Sequence, residues 1–259
     1  MNRELLDILN KNKQKVNLSY SLREKTEGFT KFFIQSLFDR ATDLAVNFPL
    51  LQAQFEEMVA LASDNQLNGA DLWEDYTREL PELLKKINLD AQAFVDNDPA
   101  STTVEEVFVA YPGFLAIMIY RLSHPLYNRK VPTIPRLMSE FAHRLSGTDI
   151  NPGAQIGESF FVDHATGTVI GETAIIEDHV RIYQGVTLGA LHVAKSMQNT
   201  KRHPTVKSNV TIYANATILG GETVIGENSI IGGNVWITSS VPANSVVTHT
   251  SEVKIKTQS

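Results

Sequence analysis

The residues best suited to chemistry in this sequence are Asp163 and His164, in the block Asp163-His164-Ala165-Thr166-Gly167. A carboxylate beside an imidazole raises the basicity of the ring and fixes its tautomer, which suits a general base. Asp149, upstream, is a second carboxylate able to orient or charge-balance the ring. A basic group follows at Lys201-Arg202-His203-Pro204. Arg202 can hold a carboxylate through a bidentate pair, and His203 can add a polar contact. Taken singly, each has a plainer reading: His164 an exposed histidine at a corner, and the basic run a solvated loop. Asp98-Pro99-Ala100 reads locally as a helix cap followed by a turn, and Glu105-Glu106 as a solvated face.

The elements that must position these groups are announced by an aliphatic residue returning every six positions. The series runs Ile150, Ile156, Val162, slips by two to Ile170, and continues through Ile176, Ile182 and Leu188. It resumes at Val206, Ile212 and Ile218, slips by one to Ile225, and ends at Ile231 and Ile237. This period fits neither a helix nor a two-faced strand. It fits a triangular β-coil with one inward aliphatic on each of three short faces per turn. Roughly four to five coils are expected. Both irregularities fall at the chemistry. The slip after Val162 coincides with Asp163-His164, and the break after Leu188 ends at Arg202-His203. The break reads as a loop extruded from a corner, the kind of long connection that is usually functional or disordered.

Upstream of the hexads the pattern is helical. One apolar stripe runs from Phe29 to Val46, another over residues 50–62, and a longer one over 70–96 that must bend or divide near Pro81. Pro112-Gly113 opens an apolar run to Arg121, and a last helix, with Phe141 and Leu145 inward, is stopped by Gly147. The expected fold is therefore α+β. An N-terminal all-α helical domain (residues 1–147) precedes a left-handed parallel β-helix of hexapeptide repeats (148–247) with an extruded loop, and then a polar tail (248–259).

Composition narrows the function. The formal net charge of -6 argues against non-specific binding to nucleic acid or anionic membrane. No apolar run is long enough to span a membrane and no leader pattern opens the chain, so a cytoplasmic protein is expected. Zero cysteines exclude disulfides, thiolate metal sites and a thioester on the protein. The seven histidines are not paired at the short fixed spacings of a metal site, so no metal is expected. Lys195, Lys207, Lys254 and Lys256 could meet cofactor phosphates but read individually as surface lysines.

Taken together, several motifs resemble those of the serine O-acetyltransferases, within the hexapeptide-repeat acyltransferases. They are Asp149-Ile150-Asn151-Pro152-Gly153-Ala154, Asp163-His164-Ala165-Thr166-Gly167, Val169-Ile170-Gly171-Glu172-Thr173-Ala174, Val186-Thr187-Leu188-Gly189 and Arg202-His203-Pro204. Asp98-Pro99-Ala100 and Tyr120-Arg121 stand at family-like spacing upstream, so the resemblance covers roughly residues 95–247. It implies transfer of acetyl from acetyl-CoA, a co-substrate rather than a resident cofactor, to the hydroxyl of L-serine. The products would be O-acetyl-L-serine and CoA, on the route to cysteine.

Carried over residue by residue, His164 would be the general base and Asp149 its partner. Asp98 and Asp163 would grip the serine amino group, Arg202 its carboxylate, with His203 beside the reacting centre. Arg202 and His203 would come from a neighbouring subunit, implying a homotrimer or a dimer of trimers. Backbone at Gly189, Ala190 and Ala214 would line the CoA arm. The sequence departs from the family pattern at Ala190, in place of a second glycine, and in the long loop before Arg202. It also lacks the usual Gly-x-Pro-Ala-Arg after the last coil. Relatives that dock into O-acetylserine sulfhydrylase end in isoleucine, whereas this sequence ends in Ser259, so that docking is not expected. Two other readings stay open from the residues: a hexapeptide acyltransferase acting on a sugar or another amino acid, and a non-catalytic scaffold.

Overall fold

The computed structural model describes residues 3–13, 16, 18–192 and 200–250. Lys195, Lys254, Lys256 and the tail from Ser251 onward lie outside the described residues. The chain divides into two compact units, Met1–Ala70 and Asp71–Ser259.

The first unit holds α1 (Arg3–Asn12), α2 (Ser21–Phe38) and α3 (Leu44–Ser63). Helices α2 and α3 pack through Phe29, Phe33 and Phe55, with the Phe29 and Phe55 rings 6.0 Å apart. The apolar stripe expected from Phe29 to Val46 is broken at Asp39–Asp43. Asp39 accepts from the Ala41 amide (2.8 Å) and Asp43 from the Ala45 amide (2.9 Å), so one carboxylate turns the chain and the other starts α3. Leu44 and Val46 fall beyond that break and are exposed.

The second unit begins in α4 (Gly69–Thr77) and continues through α5 (Leu80–Asn97), α6 (Val104–Ala110), α7 (Pro112–Asn128) and α8 (Ile134–Ser146). The stripe over 70–96 divides just before Pro81, which sits in the first turn of α5, where its missing N–H costs nothing. Gly147 closes α8 in the left-handed conformation at φ 72°. Phe141 is buried, but Leu145 is 49% exposed. The inward face of α8 is instead filled by Ile134, Met138, Phe141 and Ala142, and Leu145 falls outside it. Among the described residues no single helix is long and apolar enough to cross a membrane.

Among the described residues the hexads form fourteen short strands, β1 (Asp149–Ile150) to β14 (Val246–Val247), all paired in parallel. They stack in three ladders: β1-β4-β7-β10-β13, β2-β5-β8-β11 and β3-β6-β9-β12-β14. Every aliphatic of the six-residue series is buried and opposes another of the series in the next coil, as in Ile150↔Ile170↔Leu188↔Ile218↔Ile237. Residues 193–199, where the extruded loop is expected, lie outside the described residues; the register is intact across the segment between β7 (Thr187–Gly189) and β8 (Thr205–Val206), because Ile176 faces Val206.

Arg121, Tyr120 and Ser139 are among the side chains that fasten the helices to the first coil. Arg121 of α7 pairs with Asp90 of α5 (2.8 Å) and donates to the carbonyls of Ile156 (2.6 Å) and Gly157. Tyr120 donates to the Ala154 carbonyl (2.6 Å) and Ser139 to that of Ile150 (2.6 Å). Gly113 lets α7 approach closely: a Cβ there would lie 2.5 Å from the Val162 carbonyl oxygen.

Candidate active site

The turn after β3 (Phe161–Val162) is strained. Asp163 stays in the ladder, donating from its amide to Ile182 (2.8 Å), and the chain then turns left-handed at His164 (φ 55°) and Ala165 (φ 66°). Each such non-glycine residue costs about 1–3 kcal/mol and persists only where its surroundings impose it. Here they do. Ala165 is fully buried, and Thr148 Oγ1 donates to its carbonyl (3.0 Å). The Gly167 amide reaches Gly147 (2.9 Å) and the Gly185 amide reaches Thr166 (3.0 Å). The turn projects the His164 imidazole from a corner of the coil, 71% exposed, with Nε2 3.7 Å from Asp163 Oδ2.

Asp149 donates its amide to Thr168 (2.9 Å) and so lies beside the end of the same turn. Its Oδ1 is buried without a hydrogen-bond partner, and Arg136 Nη1 stands 3.6 Å away. No hydrogen bond joins Asp149 to His164; the carboxylate adjacent to the ring is Asp163.

Asp98 ends α5, with Oδ1 accepting from the Ala100 amide (2.8 Å) and Oδ2 from the Tyr111 hydroxyl (2.8 Å). The end of α5 is fixed to the coil by Arg181, which donates to Asn97 Oδ1 (3.1 Å), and by Phe94 against Phe161 (4.8 Å). Tyr183 stands one coil beyond Asp163, since Val162 and Ile182 are in register. Its phenol pKa is raised by burial first, then by Tyr213 and Asp163, with Asp98 adding. Both carboxylates thus act electrostatically on the same phenol. Tyr213, another coil along, stacks on Tyr183 at 5.0 Å.

Arg202 and His203 lie on a different edge. His164 follows a strand of the β3 ladder, whereas Arg202 and His203 close the loop leading from the β1 ladder into the β2 ladder. One chain therefore does not bring them to His164. Arg202 pairs with Glu172, which also accepts from the Tyr127 hydroxyl (2.7 Å). Burial alone would raise the Glu172 pKa; Tyr127 and Arg202 outweigh it and hold the carboxyl below its usual range. His203 is 8% exposed. Its Nδ1 lies 3.0 Å from the Thr173 amide and 2.8 Å from Thr173 Oγ1. Burial, then Arg202 and Lys201, push its pKa down to about 4. Lys201 Nζ donates to the carbonyls of Thr173 (2.9 Å), His203 and Pro204 (3.2 Å), fastening the end of the loop.

Gly189 and Ala190 share the loop edge, whereas Ala214 lies on the His164 edge, further along the coil. Gly189 leaves room for Leu219, whose Cδ2 would lie 2.8 Å from a Cβ. The Ala214 carbonyl accepts from the Asn234 amide (3.0 Å). Sequence reasoning missed Thr148, Tyr127 and Thr173. Glu172 and Thr173 lie in a motif that pointed to the family, but nothing in that motif says they hold residues of the distant loop.

A family model described as serine acetyltransferase, N-terminal, matches residues 8–119. A plasmid serine acetyltransferase of Synechococcus elongatus is 45% identical over 145 residues, 54% of this chain and 46% of its own length. The matched segment spans about half the length of the curated relatives. Serine acetyltransferase 1 of Entamoeba histolytica, solved with L-cysteine, is 34% identical with a TM-score of 0.77, covering 91% of this chain and 88% of that one. The Brucella abortus serine acetyltransferase solved with coenzyme A is 28% identical with a TM-score of 0.65, covering 87% and 80%. The motifs around Asp163-His164 and Arg202-His203, the helices followed by a parallel coil, and these likenesses over nearly the whole length agree: the chain belongs to the serine acetyltransferase family.

Proposed function

We propose that this chain is a serine O-acetyltransferase, moving the acetyl group of acetyl-CoA to the hydroxyl of L-serine to give O-acetyl-L-serine and CoA, the first step of cysteine biosynthesis in the cytoplasm. The observation that carries the reading is the strained His164–Ala165 turn, which holds an exposed imidazole beside the Asp163 carboxylate. His164 takes the serine hydroxyl proton as the oxygen attacks the thioester carbonyl. The tetrahedral adduct collapses, the C–S bond breaks, and the imidazolium returns the proton to the CoA sulfur. General-base assistance contributes about 10²–10⁴-fold, and holding both reactants side by side accelerates the reaction further. No cysteine is present to carry the acetyl group, and direct transfer within a ternary complex is the simpler route.

Asp149, whose buried oxygen accepts no hydrogen bond, is the acceptor for a ring N–H that would orient the base. Asp98 and Asp163 hold the substrate ammonium, and Arg202 its carboxylate. The placement of Arg202 and His203 on another edge supports an assembly of three coils in which a neighbour completes the site, alone or as a dimer of trimers. Acetyl-CoA lies along the coil past Gly189, Ala190 and Ala214. The domains act in turn: helices 1–147 carry assembly and Asp98, and the coil 148–247 carries the chemistry. The test is CoA thiol release from acetyl-CoA over a panel of acceptors. Release specific to L-serine supports the reading, release with a sugar or another amino acid replaces the acceptor, and no release with any acceptor rejects the enzyme.

A further inference from the structure

We infer that His203 is held as a neutral imidazole with its proton on Nε2, and that Thr173 is the positioning residue that holds it so; its use in catalysis rests on the acyl-transfer reading above. The Thr173 amide points at Nδ1 from 3.0 Å, and a backbone N–H can only donate. Nδ1 must therefore present its lone pair. Thr173 Oγ1 accepts from the amides of Arg202 (2.9 Å) and His203 (3.1 Å), which leaves its own proton for Nδ1 at 2.8 Å. A neutral ring with Nδ1 bare carries its proton on Nε2. That atom makes no hydrogen bond to any described residue.

The ring is also prevented from flipping. It lies against Gly171, where a Cβ would stand 2.0 Å from Cδ2, and a flip would turn a carbon toward the Thr173 amide. Burial and the adjoining Arg202 and Lys201 oppose a second proton on the ring. His203 is therefore a fixed hydrogen-bond donor for a negatively charged oxygen, and it takes no proton. The division of labour follows: His164, exposed and beside Asp163, acts as the base, while His203 stays neutral.

The tautomer can be read without turnover. In the assembled protein carrying ¹⁵N-labelled histidine, assigned against His203→Gln, long-range ¹H–¹⁵N correlations should show Nδ1 unprotonated and Nε2 protonated. The pattern should hold unchanged from about pH 8 to about pH 5.5. A protonated Nδ1, or titration at the ordinary histidine value, overturns the inference. Thr173→Val should move the titration up toward that value and raise KM for serine several-fold with little change in kcat, and Thr173→Ser should restore both. An unmoved titration in the valine variant overturns the role of Thr173. The side-chain nitrogen of glutamine falls near Nε2 and that of asparagine near Nδ1. His203→Gln should therefore retain more activity than His203→Asn, and the reverse order overturns the donor role. Because the spectrum needs no substrate, a failed tautomer and a failed acyl-transfer assay are read separately.

Discussion

Thr148 Oγ1 donates to the carbonyl of Ala165 across 3.0 Å, both groups buried, and so ties the start of the first coil to the left-handed turn that carries His164. The residue after Thr148 is Asp149, whose carboxylate has a buried oxygen that accepts no hydrogen bond and stands 3.6 Å from Arg136 Nη1. One hydrogen bond thus couples the backbone of the base to the backbone of its proposed orienting carboxylate.

Thr148→Val tests that coupling. The Ala165 carbonyl would keep the Thr168 amide (3.0 Å) and lose one hydrogen bond of two, which should cost about 0.5–1.5 kcal/mol of stability. Release of the strained turn should lower kcat by up to about 10²-fold, with KM less affected. Denaturant titration and steady-state kinetics check both, and an unchanged kcat would contradict the role given to the turn.

Gly171→Ala should force the His203 ring off Thr173, because the added methyl would stand 2.0 Å from Cδ2. Overpacking of this kind costs about 1–3 kcal/mol. The lost donor should raise KM for serine by roughly tenfold, equivalent to about 1.4 kcal/mol. A variant with unaltered melting temperature and KM would show that the ring is not confined.

Asp90→Asn strips the charge from a fully buried partner of Arg121, which also joins α7 to the first coil. Breaking a buried pair from one side costs about 3–5 kcal/mol. Loss of that size in a denaturant titration is expected; a change below about 1 kcal/mol, the worth of an exposed pair, would contradict the structural role.

Stability should also report the neutral state of His203. Its pKa is pushed from the ordinary 6.5 down to about 4, so between those values the unfolded chain binds a proton that the native chain refuses. The contribution is complete above the ordinary value and is lost as pH falls toward the depressed one. Denaturation midpoints compared at about pH 7 and pH 5 should fall further for the native sequence than for His203→Gln. Equal falls would refute the assignment.

The coil was legible in the sequence because its core repeats one residue type at one spacing. Each aliphatic of the six-residue series from Ile150 to Ile237 is buried, and the slip after Val162 marks the turn that lifts His164 out of the ladder. The helices were read less well. The stripe from Phe29 to Val46 gave no sign of the break made by Asp39 and Asp43, and Leu145 matched the spacing of Phe141 yet lies outside the buried face. The contacts that shape the site were not legible at all. Asp90 with Arg121, Tyr127 with Glu172, and Thr173 with His203 pair single residues far apart in sequence, where no periodicity marks either partner.

The central claim is that His164 is the base of an acetyl transfer to serine, and the rate of CoA thiol release by His164→Ala tests it most directly. With circular dichroism and oligomeric state matching the native protein, kcat with L-serine should fall by about 10²–10⁴-fold. A correctly folded variant that keeps a near-native rate would contradict the account.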